Sequence, residues 1–402
     1  MTTVSAEERE GAHARVREAI ADLRPLLVDV SMDLHAHPEL AMEEHHAADR
    51  LTAELAREGF AVERPVAGMA TAFVGRRGTA GRHPRVAILM EYDALPGVGH
   101  ACGHNLIAAG GLGAALAVAR ALPEVPGELM AVGTPGEEGE GGKIIELEAG
   151  VFDGVDSAIM FHPGSHNWAI RHATASCHVV MKFYGKAAHA AGAPEKGINA
   201  LNAAIHTFVH IDALRQHIPE TSRIHGIITH GGDAPNVVPE YAEAKFLVRS
   251  LTMRGAEELL AKVKACAEGA ALANGARVEF ETGRTYAERK NNRVLAERFT
   301  RYLEATGETV EEPVLRGGTG SSDIGNVSLV LPTIHPYMAI APKDTPGHSR
   351  EMAAAAASER GQEAMLHVAE AMAHVAVDLF LEEGFVERAW EAFRTSGPDL
   401  PA

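Results

Sequence analysis

Apolar residues follow two kinds of pattern along this 402-residue chain. Residues 6–24 and 42–57 carry them at three- and four-residue spacing, which predicts amphipathic helices. Residues 85–90 (RVAILM, directly after Pro84), 128–132 and 157–161 are instead short unbroken apolar runs, which predict strands buried on both faces. Each run ends in a polar loop: EYDALPGVGHACGHN, GTPGEEGEGG and HPG in turn. A helix of small residues is predicted over 104–121, its glycines implying close packing on a sheet, and another near 142–150. Strand, loop and helix in repetition describe an α/β layer, with a mostly parallel sheet and helices on both faces. Loops at the carboxyl ends of such strands form the usual ligand crevice.

The pattern changes near residue 172. Extended runs are predicted at 175–185, 224–230, 237–250 and 276–282, and helices at 197–218 and 255–273. This β-α-β-β-α-β order is that of a ferredoxin-like sandwich. After about 285 the chain returns to helices, a strand at 329–334, the loop PYMAIAPKDTPGHSREM and an alanine-rich helix to about 381. The expected organisation is one α/β domain (1–173 and 286–402) interrupted by a smaller α+β domain (174–285).

Composition narrows the function classes. A net charge of −17, from 54 acidic and 37 basic residues, argues against a nucleic-acid partner. No stretch approaches the ~18 uninterrupted apolar residues of a membrane span, and the N-terminus lacks the apolar core of a secretory signal. Three cysteines do not make a disulfide framework and fit a reducing compartment, so a cytoplasmic location is expected. The unusual count is histidine, at 22. Most of these read as surface residues, but histidine is also the commonest metal ligand and general base.

Four polar clusters fall at the predicted strand ends. Glu91, Tyr92 and Asp93 precede Cys102-Gly103-His104-Asn105, where a thiolate and an imidazole two residues apart can reach one ion. Taken alone, that pair reads more readily as a packed cysteine beside a surface histidine. Glu137 and Glu138 follow the second strand; adjacent carboxylates repel unless a cation sits beside them, although a solvated acidic loop gives the same letters. His162 follows the third strand, and His348 lies in PGHSREM. Together the set suits zinc, cobalt, manganese or nickel. Asp93 reads either as a turn residue or as the partner that orients a ligand histidine.

The chain resembles the co-catalytic metallopeptidases and amidohydrolases that include aminoacylases, glutamate carboxypeptidases and hippurate hydrolases. The matching stretches are LHAHPELAMEE (34–44), DALPGVGHACGHN (93–105), GTPGEEGEGG (133–142), FHPG (161–164), GKAAHAAGAPEKGINAL (185–201), GGDAPNVVPEYAEAKFLVRS (231–250) and GHSREM (347–352). The resemblance implies that Cys102, His104, Glu138, His162 and His348 ligate one or two divalent ions. It makes Glu137 the general base and the 174–285 domain a lid and homodimerisation domain. From that lid His189 would polarise the scissile carbonyl, and Asn236 and Arg249 would hold a substrate carboxylate. Asn105 stands where an acid is usual, EYD where many branches have HxD, and GTGSSDIGNVSLVLPTIHP (318–336) where a Ser-Glu-Asp-Phe loop is usual. These departures resemble the branch of aminobenzoyl-glutamate hydrolases and related dipeptidases.

The implied reaction is hydrolysis of the amide bond of an N-acyl or N-aroyl amino acid, or of a dipeptide. Hydrolytic deamination of an aromatic amine on the same site, and a metal-dependent binding protein without turnover, are the alternatives. His230, Arg316 and Thr319 are further candidates for substrate contact. His100, His166, His172 and His178 read as ordinary residues, and Cys177 and Cys266 as core.

Overall fold

The computed structural model describes residues 4–312 and 320–400. Two compact units divide the chain. The first holds residues up to His172 and those from Arg289 onward; the second is built on Ala173–Glu288, with Gly320 and Ser321.

The first unit centres on a six-stranded sheet in the order Ala61–Glu63, Phe73–Gly78, Glu128–Gly133, Arg85–Met90, Ser157–Ile159, Thr333–Ile334. The last four strands pair in parallel, and the first two add on antiparallel. Arg85–Met90 lies in the middle with five of its six residues buried, as an unbroken apolar run requires. Helix His104–Ala121 lies directly on it. A Cβ at Gly111 would stand 2.9 Å from the Leu89 carbonyl oxygen, so only glycine permits this approach.

Helices Ala6–Ala36 and Glu359–Leu381 pack against His104–Ala121 to complete the core. The first helix runs well past residue 24, through Pro25. Proline in a helix interior costs about 3 kcal/mol. Leu27, Val30 and Leu34 continue the buried stripe beyond it, and burying each gains about 1.5–3 kcal/mol, so packing wins. Glu359–Leu381 is long and apolar enough to cross a membrane, but most of it is buried in this core.

Two late boundaries differ from the sequence pattern. Residues 329–334 supply only the strand Thr333–Ile334, after a short helix Ile324–Ser328. The alanine-rich helix is two, Arg350–Ala356 and Glu359–Leu381, because Ser358 caps the second by accepting the Gly361 N–H.

The second unit is a four-stranded antiparallel sheet in the order Arg277–Thr282, Ala175–Tyr184, Tyr241–Ser250, Arg223–His230. Helices Ala200–Leu214 and Met253–Ala273 pack on it. Ala242, Ala244, Phe246 and Val248 alternate inward along the third strand, the period expected of a sheet buried on one face.

Candidate metal centre

Every predicted ligand of the first unit stands at or beyond a strand end. Glu91, Tyr92 and Asp93 leave Arg85–Met90, and Glu137 and Glu138 leave Glu128–Gly133. His162 opens a short strand His162–Gly164 that pairs in parallel with Tyr337–Ala339. His104 is the first residue of its helix, entered through Gly103 at φ 71°. A Cβ on Gly103 would meet Pro163 at 2.8 Å, so this glycine lets the Cys102–His104 loop close onto His162.

The donors converge. One donor atom each from Cys102, His104 and His162 lie within 4.8 Å of one another. The same holds for Cys102, Glu138 and His348, and for His104, Glu137 and Glu138. Cys102 belongs to two of these groups, and the two glutamates share the third with His104. His348, on an exposed loop at φ 58°, stands with Nε2 3.7 Å from Glu138 Oε1.

Orienting contacts set each donor. His104 Nδ1 is 2.9 Å from Asp93 Oδ1, and the other Asp93 oxygen accepts the Glu138 N–H at 2.9 Å. A proton on Nδ1 leaves the Nε2 lone pair facing inward. His162 Nδ1 is 2.6 Å from the Pro163 carbonyl, which turns Nε2 the same way. Glu44, fully buried, accepts from the Gly136 N–H and the Thr71 hydroxyl, both at 2.8 Å, and so fixes the loop just ahead of Glu137.

Burial dominates the electrostatics. It opposes the charge of Asp93, but His104 outweighs it and holds the carboxyl below its ordinary pKa. Burial likewise opposes a charge on His104, yet Asp93 lifts that imidazole well above its usual value. Burial pushes the Cys102 thiol up to about 12 and the His162 imidazole well down. Glu137 is raised well above the carboxylate range, by burial first and then by Glu91, Glu138 and Asp323. That crowding of acids is what a basic carboxylate needs.

Do these residues fit a cation? His104 Nε2 and Glu138 Oε1 are buried without a hydrogen-bond partner, and a thiol, three imidazoles and a carboxylate surround the gap. Buried polar atoms without partners are costly, and a divalent ion of the zinc or manganese type satisfies this donor set.

Several participants escaped the sequence reading. Lys143, fully buried, donates to Glu91 Oε1 at 2.5 Å and Asp323 Oδ1 at 2.8 Å. Burial opposes its charge, but Asp323 and Glu91 outweigh it and raise its pKa. Glu91, Glu137 and Asp323 also hold oxygens within 4.8 Å of one another, so Glu137 links the ligand group to the Lys143 group. Asn105 points away from the donors. Its amide donates to Ser31 Oγ at 3.0 Å and to the Ala356 carbonyl at 3.2 Å, fastening helices instead of charging the centre.

The remaining candidates lie in the second unit. His189 is exposed, and its Nδ1 accepts the N–H groups of Ala191 (3.2 Å) and Gly192 (3.0 Å). This puts the ring proton on Nε2. The carbonyl of Asn236 accepts the Ala190 N–H, and its side chain is exposed. Arg249 is half-buried and donates to Ser321 Oγ at 2.9 Å. The His230 ring packs, tilted by 40°, 5.3 Å from the Tyr241 ring. Arg316 and Thr319 lie outside the described residues.

Comparison with known proteins agrees with this architecture. Residues 172–274 match the family described as a peptidase dimerisation domain. The chain is 39% identical over 408 residues to the Xaa-Arg dipeptidase of Mus musculus, covering 98% of this chain and 94% of that protein. It is 29% identical over 447 residues to a p-aminobenzoyl-glutamate hydrolase chain of Escherichia coli K12, covering 92% of each. A Bacillus subtilis protein described as a dinuclear metal-binding peptidase of the M20 family has the same fold. Its TM-score is 0.66 at 21% identity, over 90% of this chain and 99% of that one.

Proposed function

The chain belongs to the M20 metallopeptidase family, and from that premise we propose that Glu137 drives hydrolysis of a carboxylate-bearing dipeptide or N-aroyl amino acid. The observation that carries this reading is the place of Glu137. It is a buried carboxylate of raised pKa, with an oxygen within 4.8 Å of donor atoms on both His104 and Glu138.

Cys102, His104, His162, Glu138 and His348 would hold one or two divalent ions, and the membership of Cys102 in two donor groups supports two. Zinc, manganese, cobalt and nickel all suit these donors. Such an ion, when bound, supplies Lewis acidity and makes a water acidic enough to deprotonate near neutral pH. Glu137 takes a proton from the attacking water and returns it to the departing nitrogen. Asp93 keeps the His104 ring oriented throughout. The Nε2–H of His189 is the donor for the developing oxyanion, with Asn236 and Arg249 as polar contacts for the substrate.

A homodimer through the second unit is supported by the dimerisation-domain match and by exposed apolar side chains there. Ile227 and Ile228 stand on the sheet-edge strand, and Ile205 and Val209 on the first helix of that unit. Three unpaired cysteines support a cytoplasmic location.

The test is a panel of Xaa-Arg and other dipeptides, aminobenzoyl-glutamate, N-acyl amino acids and aromatic amines, assayed with metal-reconstituted protein for amine release. Glu137→Gln should abolish turnover while the metal content stays unchanged. If no amide is cut with any of these metals, the reading falls. Ammonia released from an aromatic amine would replace it with the deaminase reading.

A further inference from the structure

Asp33, His37 and His46 gather at the surface of the first unit, and one donor atom from each lies within 4.8 Å of the others. They share no residue with the centre built on His104 and Glu138. Asp33 lies in the last turn of helix Ala6–Ala36 and His37 caps that helix, so the two side chains, four residues apart, share a face. His46 reaches them from the first turn of helix His45–Arg57. Asp33 Oδ1 stands 3.0 Å from His37 Nδ1, and Asp33 Oδ2 stands 3.0 Å from His46 Nε2. The two imidazole rings lie 4.9 Å apart, centroid to centroid.

Two imidazoles and one carboxylate are the donor set of a late divalent transition ion; magnesium and calcium take oxygens. A tetrahedral zinc ion with bonds of about 2.0–2.1 Å holds its donor atoms about 3.4 Å apart. Both 3.0 Å contacts lie just inside that separation, and the exposed imidazoles can turn to set the third edge. With the His37 side chain 60% exposed and that of His46 43%, an ion has a path from solvent and room for water as a further ligand. Arg50 works against occupancy. Its Nη2 donates to Asp29 at 2.6 Å, and its Nε lies 3.8 Å from Asp33 Oδ2.

The backbone beneath both imidazoles is anchored. The His37 N–H donates to the Asp33 and Leu34 carbonyls, each at 3.1 Å. The two Glu39 oxygens accept the His46 and Ala47 N–H groups at 2.9 and 3.0 Å, so Glu39 caps the second helix instead of joining the donors. The chain between, 38–44, lies against the reaction centre. The Glu39 carbonyl accepts the Ala94 N–H at 2.7 Å, next to Asp93, and Glu44 holds the Gly136 N–H at 2.8 Å, just ahead of Glu137. An ion shared by His37 and His46 therefore clamps both ends of the loop on which those contacts rest.

We propose that Asp33, His37 and His46 form a peripheral site for zinc or a similar late divalent ion, which staples the first two helices and steadies the 38–44 loop. The site is separate from the reaction centre, and its test needs no turnover. Equilibrium dialysis against zinc counts the ions held by the parent chain and by His37→Gln/His46→Gln, with magnesium as the control. The parent should hold one more zinc ion per chain than the variant, with a Kd below about 100 µM, and magnesium should not fill the difference. Zinc beyond the amount that saturates the variant should raise the unfolding temperature of the parent and leave that of the variant unchanged, because binding to the folded state stabilises it. Where the double variant fails to fold, Asp33→Asn, which keeps the shape of the side chain, serves in its place and should weaken the extra ion about tenfold or more. Equal zinc counts in parent and double variant overturn the proposal. So does an extra ion that binds more weakly than that limit, or one whose affinity Asp33→Asn leaves unchanged.

Discussion

Asp93 and His104 are held 2.9 Å apart, both fully buried, and the second oxygen of Asp93 carries the backbone of Glu138. One carboxylate thus sets the aim of two donors. Asp93→Asn should preserve the fold but loosen divalent-metal affinity by about 10–100-fold. Competition against a graded series of chelators measures this. Affinity equal to the parent protein would show that His104 needs no partner to stay in place.

Lys143 balances two buried acids, and removing it strands both. Lys143→Met should cost about 3–5 kcal/mol in denaturant unfolding. Adding Glu91→Gln and Asp323→Asn to the same chain should restore much of that loss. A single variant as stable as the parent would mean that Glu91 and Asp323 are held neutral without it.

Gly103 turns the chain into the helix that begins at His104. Gly103→Ala adds a Cβ at φ 71°, 2.8 Å from Pro163. The strain should cost about 1–3 kcal/mol and move Cys102 and His104 away from His162. Thermal unfolding and bound-metal content should therefore fall together; a drop in stability with full metal content would separate the two effects.

Glu308 predicts part of the acid limit. Hydrogen bonding from Arg360 is the main cause that lowers its pKa to about 2, with His367 adding to it against burial. A depressed carboxyl stabilises the fold above its unfolded pKa of about 4.3 and loses that contribution as pH falls toward 2. Because Arg360 is 43% exposed, screening limits the effect to roughly 1 kcal/mol. The stability gap between parent and Glu308→Gln should be steady at neutral pH and close between about pH 5 and 2. A gap independent of pH would rule the ion pair out as its source.

The fold was legible where burial is local to the letters. Unbroken apolar runs located the parallel strands, and alternation with two helices located the second unit. Phe73–Gly78 was missed because FVGRRG is apolar over only half its length, and Phe385–Thr395 because the expected chain stopped at the long helix. In the centre, the donors were readable because each lies in or beside a loop that follows a predicted apolar run. Lys143 was not: a lysine in a glycine-rich helix start looks solvated, and its partners lie 52 and 180 residues away.

The pairing of His162 with Tyr337 also imposes an order on biosynthesis. Thr333–Ile334 pairs with Ser157–Ile159, and Tyr337–Ala339 with His162–Gly164, across the whole length of the second unit. A ribosome completes Ala173–Glu288 before it releases Tyr337 or His348. The second unit, whose strand pairings are all internal, can therefore fold while the first unit still lacks an edge strand. Closing so long a loop is slow, and until it closes His162 has neither its strand partner nor His348. Mature metal uptake should thus be among the last events in the life of a new chain.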